Sequence, residues 1–182
     1  MSEYKNKFLN TDGRIVLEGY MGSGKSSVGR KLSFLLKCEF NDTDNVIENK
    51  EGRKISEIFE ENGEAYFRNL ETELLKKYGD SESKNLILSL GGGTPVREEN
   101  RPIIKKIGTV VYLRATPETV YERVKRSKTR PLLQCEDPFG RIKEMIAERD
   151  GAYTECADII VDVDNKSISE IADEIIKRMG DK

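Results

Sequence analysis

Along the chain, short apolar runs alternate with longer stretches in which apolar residues recur every three or four positions. Arg14-Ile-Val-Leu-Glu18 reads as a strand, and a glycine-rich turn carries it into a helix over about Gly24 to Leu36. A short strand near Glu39-Phe40 leads to Asp42-Thr-Asp44. Beyond it, Ile55 to Gly63 and Glu64 to Tyr78 have helical spacing, with Gly63 as the break between two helices. Leu86 to Leu90 and Thr109 to Leu113 are too short for helices and apolar enough for burial on both faces, so they read as central parallel strands. Glu98 to Ile107 is the helix predicted between them. Thr116-Pro117-Glu118 supplies an N-cap, a first-turn proline and an early carboxylate for a further helix. Pro138 to about Arg149 reads as helix, Asp158 to Asp162 as a fifth strand, and Ser167 to Met179 as an amphipathic closing helix. This alternation predicts an α/β fold of three layers, α/β/α, around a central five-stranded parallel sheet, with ligands beyond the carboxyl ends of the strands.

Composition narrows the chemistry. The 182 residues suit a single domain, 1–182, with one active site. With 31 Lys+Arg against 33 Asp+Glu the net charge is −2, so no global field points to nucleic acid or an anionic membrane. Histidine is absent, which excludes a His general base, a His-based triad and any His-containing zinc site. Cys38, Cys135 and Cys156 are odd in number, far apart and never in a C-x-x-C pair, so reduced thiols in the cytoplasm are expected. No catalytic role is read for them. The polar start, MSEYKNKFLNTDG, and the lack of a long apolar run support neither secretion nor a membrane span.

Gly19-Tyr-Met-Gly-Ser-Gly24-Lys25-Ser26 fits G-x-x-x-x-G-K-[ST], with an apolar strand before it and a helix after it. Its glycines let backbone N–H groups converge on phosphate oxygens at a helix N-terminus, where unsatisfied donors and the helix dipole favour an anion. Lys25 adds a charge near the β- and γ-phosphates, and Ser26 offers a hydroxyl to Mg2+. None of the three Asn-Lys pairs is followed by Asp two residues on, against a guanine-specific GTPase, and Leu86 to Leu90 ends in three glycines rather than the Asp-Glu of a motor or helicase. What remains is a small kinase.

Three further groups bear on the acceptor. Asp42-Thr-Asp44 would set two carboxylates on one side of an extended segment; a turn and helix cap is the other reading. In Gly63-Glu64-Ala-Tyr-Phe67-Arg68-Asn-Leu-Glu71, two glutamates flank Arg68 at helical separations, which alone reads as a solvated, salt-bridged face. Gly91-Gly92-Gly93 removes side chains at the end of the third strand, as a turn or as a close approach to ligand.

Together with Arg130-Pro-Leu-Leu133 and Arg149-x-x-x-Tyr153, these motifs resemble shikimate kinase in order and spacing, over roughly residues 14 to 178. The resemblance implies a P-loop kinase fold with a mobile lid at about 123–138 and a shikimate-binding region at about 44–78. It implies that ATP sits on Gly22, Ser23, Gly24, Lys25, Ser26 and Ser27, with Ser26 ligating Mg2+ directly and Asp42 reaching it through water. Asp44 would contact shikimate hydroxyls and serve as base or positioner for the 3-hydroxyl, and Lys25 and Arg130 would neutralise the transferring phosphate. Arg68 and Arg149 would hold the substrate carboxylate, with Glu64 and Glu71 orienting Arg68. Phe59 and Phe67 would wall the ring, and the backbone of Gly91, Gly92 and Gly93 would bind its hydroxyls. Arg123 would stack on adenine, with Arg126 the alternative. ATP and shikimate are thus the implied partners of a monomer, with neither nucleic acid nor membrane.

Two rivals remain at this level. A gluconate or nucleoside-monophosphate kinase shares the phosphate loop, and two arginines would also suit gluconate. A nucleotide-binding regulator or nucleic-acid-binding module would use the basic run Arg123 to Arg130, against which the net charge counts.

Overall fold

A computed structural model describes residues 13–125 and 135–180. Five parallel strands, β1 (Arg14–Glu18), β2 (Glu39–Asp42), β3 (Leu86–Ser89), β4 (Thr109–Arg114) and β5 (Ile159–Asp162), lie in the order β2-β3-β1-β4-β5. Seven helices connect them among the described residues: α1 (Lys25–Leu36), α2 (Thr43–Glu51), α3 (Ile55–Asp80), α4 (Asn100–Ile107), α5 (Pro117–Val124), α6 (Pro138–Cys156) and α7 (Ile168–Gly180). The predicted α/β architecture is the observed one.

The central strands β1, β3 and β4 are buried because the sheet is covered on both faces, whereas no residue of the edge strand β2 is buried. Ile15, Leu17, Ile87, Val111 and Leu113 pack with Val28 and Leu32 of α1 and Ile171 and Ile175 of α7. Val16, Leu88 and Val110 point the other way, to Leu75 of α3 and Ile104 and Ile107 of α4. A third apolar cluster, Ile47, Ile58, Phe67 and Leu70, joins α2 to α3 beside the sheet.

Several local expectations are corrected. Asp42-Thr-Asp44 is not one extended segment: Asp42 ends β2 and caps α2, its side chain accepting from the Asp44 N–H at 3.2 Å. The helix this starts was not predicted, because its nine residues hold few apolar side chains, and only Thr43 and Ile47 are buried. The break expected at Gly63 is present: two helical segments, numbered together as α3, meet there at a non-helical backbone (φ 79°, ψ 170°) that glycine adopts without the cost of a Cβ. α6 continues through Gly151 to Cys156, well past Arg149. Thr116 does cap α5, accepting from the Thr119 N–H, with Pro117 in its first turn.

Register brings the active ends together. Asp42 of β2 and Leu17 of β1 both pair with Ser89 of β3, so the segments leaving these strands emerge along one edge. Asp42 and Asp44, Gly19 to Gly24, and Gly91 to Gly93 all lie there.

Candidate active site

The loop after β1 turns through three left-handed glycines, Gly19, Gly22 and Gly24 (φ 139°, 79° and 101°), before α1 begins. Lys25 Nζ donates to the Gly19 and Tyr20 carbonyls at 2.8 and 3.1 Å, which holds the ammonium over the loop. The Ser26 hydroxyl donates to Asp42 Oδ2 at 2.7 Å. A hydroxyl and a carboxylate oxygen at the mouth of a phosphate loop are hard donors of the kind Mg2+ takes, with the remaining positions left for phosphate and water. The described residues contain no group of three or more His, Cys, Asp or Glu able to hold a metal by themselves. Arg123 reaches the loop from α5, donating to the carbonyls of Gly22 (3.1 Å) and Ser23 (3.2 Å) and to that of Val163 (3.3 Å). It therefore bridges the phosphate loop and the segment after β5.

A cavity of about 490 Å³ opens over this loop, lined by Lys25, Ser26, Ser27, Asp42, Asp44 and Gly92 among others. A second, of about 350 Å³, is lined by Glu64, Arg68, Gly93, Arg97 and Arg149. The glycine segment borders both. A cavity of about 620 Å³ lies at the opposite, amino ends of the strands, beside Arg14, Lys106 and Thr109, and contains none of the predicted site residues.

Asp44 lines the cavity over the phosphate loop. Burial pushes its carboxyl up to about 6, with further rises from the charges of Asp42 and Glu71, against the pull of Lys25 and Arg68. Thr43, between the aspartates, accepts from the Gly91 N–H at 2.9 Å and so ties α2 to the glycine segment. Arg68 donates from NH1 to Glu71 Oε2 (2.7 Å) and from Nε and NH2 to Glu64 Oε1 (3.1 and 2.9 Å). The two glutamates differ in burial. Glu64 is a solvated side chain at 65% exposure, whereas Glu71 is at 1%, so the reading of this stretch as a solvated face is corrected for one of its two carboxylates.

The glycines are explained by what lies against them. A Cβ on Gly93 would stand 2.4 to 2.6 Å from the Arg68 guanidinium, and one on Gly91 would stand 2.7 Å from both Asp44 Oδ1 and Glu71 Oε1. Arg149 NH1 lies 3.5 Å from the Gly92 carbonyl, with its guanidinium 5.8 Å from the Tyr20 ring centre. The Tyr153 hydroxyl donates to the same Gly92 carbonyl. Phe59 and Phe67 pack with their ring centres 5.0 Å apart, and the Arg68 guanidinium sits 5.5 Å from the Phe67 ring. Phe67 belongs to the third apolar cluster, and neither ring lines the two cavities. Arg126, Arg130 and the rest of residues 126–134, the middle of the lid expected at about 123–138, lie outside the described residues.

Three groups at the site were not singled out from the sequence. Thr43 and Thr94 carry no local signal, since what matters is which distant group meets each hydroxyl. Glu18 did carry one: a carboxylate closing an apolar strand immediately before the glycine loop. It is completely buried.

The family model described as shikimate kinase matches residues 21–180. The shikimate kinase of Caldanaerobacter subterraneus subsp. tengcongensis is 41% identical over 163 residues, 90% of this chain and 94% of its own. That of Neisseria gonorrhoeae is 42% identical over 171 residues, 94% of this chain and 98% of its own. A solved structure of Acinetobacter baumannii shikimate kinase in complex with shikimate superposes with a TM-score of 0.88 at 37% identity, covering 96% of each chain.

Proposed function

The chain belongs to the shikimate kinase family, and on that footing we propose that it transfers the γ-phosphoryl group of MgATP to the 3-hydroxyl of shikimate, giving shikimate 3-phosphate and ADP. The observation that carries this reading is the arrangement around the glycine segment: a phosphate loop and Asp44 on one side, two arginines, Arg68 and Arg149, on the other. A carboxylated polyol bridging the two cavities would present its acid to the arginines and a hydroxyl to Asp44.

In this reading Gly22 to Ser27 hold the ATP phosphates, Lys25 leaving its two loop carbonyls to meet them. Ser26 and Asp42 hold Mg2+, which when bound neutralises phosphate charge. Asp44 orients the attacking hydroxyl and accepts its proton; burial makes it a stronger base than a solvated aspartate while leaving it mostly ionised near pH 7. Phosphoryl transfer needs positioning and charge neutralisation more than a strong base, so this is sufficient. Arg68 offers a planar, charge-assisted fork to the acceptor carboxylate, and Arg149 approaches from α6 with no carboxylate partner among the described residues. Backbone N–H groups of Gly92 and Gly93 meet acceptor hydroxyls, that of Gly91 being held by the Thr43 hydroxyl, while Phe67 lies against Arg68 with Phe59 packed on it. Arg123 lies on the nucleotide side, where the adenine is expected, and Arg130 is assigned to the transferring phosphate on the family motif alone. Three unbridged cysteines are consistent with a cytoplasmic enzyme, and among the described residues no helix is long and apolar enough to cross a membrane.

The test is ADP formation with MgATP across shikimate, gluconate, quinate and nucleoside monophosphates, with product mass locating the phosphate. Turnover confined to shikimate is the expected result. ATP binding with shikimate inert would leave the phosphate loop standing and remove the acceptor assignment.

A further inference from the structure

Arg68 is gripped by two carboxylates, and only one of them is fixed. Glu64 is solvated and free to change rotamer, whereas Glu71 is buried, with Oε2 on Arg68 NH1. Its other oxygen, Oε1, accepts from the hydroxyl of Thr94. Thr94 is itself buried at 1% exposure, in the residue directly after the glycine segment. Its backbone is held from both sides: its N–H donates to the Gly91 carbonyl at 3.1 Å, and its carbonyl accepts from Asn100 Nδ2 at 2.9 Å. Asn100 in turn accepts from the Thr72 hydroxyl at 2.8 Å, and Thr72 lies one residue beyond Glu71 on α3. The result is a closed, buried polar circuit, Glu71–Thr94–Asn100–Thr72, with both ends on the helix that carries Arg68.

We infer that Thr94 is a positioning residue that aims Arg68 at the acceptor carboxylate through Glu71. A buried carboxylate must find a donor for each oxygen, or it rotates or takes up a proton. Either change moves or loosens Glu71 Oε2 and with it the NH1 contact. Arg68 has little room to follow, because its guanidinium already lies against Gly93. Asp44 borders the same space above Gly91 as Glu71 Oε1, so the Thr94 hydroxyl also keeps that oxygen committed away from a second negative charge. Among the described residues Thr94 makes its hydrogen bonds to Glu71, Gly91 and Asn100 and none to the phosphate loop, Ser26 or Asp42, and its loss therefore reports on acceptor binding rather than on phosphate handling.

The inference rests on the proposed function, in which Arg68 meets the acceptor carboxylate. The experiment is steady-state kinetics of wild type, Thr94→Val, Thr94→Ser and Glu71→Gln, and of the Thr94→Val/Glu71→Gln double variant, with thermal melts of each. Thr94→Val, near-isosteric but without the donor, is expected to raise KM for shikimate about tenfold with kcat and the KM for ATP within about twofold. Thr94→Ser restores the wild-type value, and the double variant is no worse than Glu71→Gln alone, since both act through one contact. A shikimate analogue with the carboxylate reduced to an alcohol should be turned over alike by wild type and Thr94→Val. Wild-type KM in Thr94→Val, full additivity in the double variant, or a Thr94→Ser variant as impaired as Thr94→Val would each overturn the inference. If Thr94→Val does not fold, Thr94→Ala, which also lacks the donor, takes its place in the same comparison with the same expected and overturning results. No shikimate turnover by the wild type would instead overturn the function on which it rests.

Discussion

Glu18 ends β1 directly before the phosphate loop and is completely buried. No hydrogen-bond donor among the described residues satisfies either carboxylate oxygen, apart from the weak thiol of Cys156 beside it. Burial pushes its pKa up from 4.5 to about 8, against the pull of Cys156, Lys105 and Lys25 and with a further push from Asp158. The folded protein therefore keeps this proton where the unfolded chain releases it, so between pH 4.5 and 8 the native state binds more protons and stability falls as pH rises. At about 1.4 kcal/mol per pH unit, the loss is about 3 kcal/mol by pH 7 and approaches about 5 kcal/mol above pH 8. Cys156 does not share the window, since burial and the Glu18 carboxyl push its thiol up to about 12. Glu18→Gln keeps the shape and removes the titration. Urea unfolding of both proteins at pH 5, 6, 7, 8 and 9 should show the variant gaining on the wild type by about 4 kcal/mol between pH 5 and 8, then levelling, with m unchanged. Because every other titrating group is common to both, the difference isolates Glu18. Parallel stability curves across that range would refute the reasoning and mean that Glu18 is not held as the neutral acid.

Arg68→Ala should raise KM for shikimate about a hundredfold, the equivalent of about 3 kcal/mol of charge-assisted hydrogen bonding, while ATP affinity measured by calorimetry stays the same; an equal loss of both would contradict its assignment. Asp44→Asn should lower kcat by about a hundredfold or more with nucleotide binding intact, and a rise in the dissociation constant for ATP as large as the fall in kcat would count against a role at the acceptor. Gly93→Ala is the most local test of the cavity wall: φ at Gly93 is −95°, which alanine adopts freely, so the variant should fold. Its Cβ would nonetheless displace the Arg68 guanidinium, and KM for shikimate should rise about tenfold or more. Unchanged kinetics there would show that Arg68 works from another position.

What was legible in the sequence was local. The phosphate loop could be read because its function requires a particular backbone at contiguous residues, and Thr116-Pro117 because a helix start needs a cap and tolerates proline in its first turn. α2 was missed for the opposite reason: TDNVIENKE is mostly polar, and the helix is defined by its ends, Asp42 as cap and Gly52 in the left-handed conformation after it. Gly63 and Gly151 look alike in sequence as helix breakers. They differ in structure, since Gly63 adopts a non-helical φ and kinks α3 while Gly151 continues α6. The cost of about 1 kcal/mol for a helical glycine is offset by burial of Tyr153 and Cys156 just beyond it.

The candidate site divides along the same line. Residue types at the strand ends were readable, whereas the difference between Glu64 and Glu71 was not: both sit within one turn of Arg68, and helical spacing treats them alike. What separates them is 23 residues from Glu71 in sequence, where the glycines that follow β3 lead to Thr94. Without side chains at 91–93, that segment approaches α3 closely enough to cover Glu71 and leave Glu64 in water. The glycines therefore do more than open a path for ligand. They make one carboxylate of an apparently symmetric pair buried, and a buried carboxylate with a dedicated donor can define a direction for an arginine that a solvated one cannot. The precision of the acceptor pocket is thus a property of the packing between α3 and the end of β3, and substitutions at either surface should be felt in shikimate binding before they are felt at the phosphate loop.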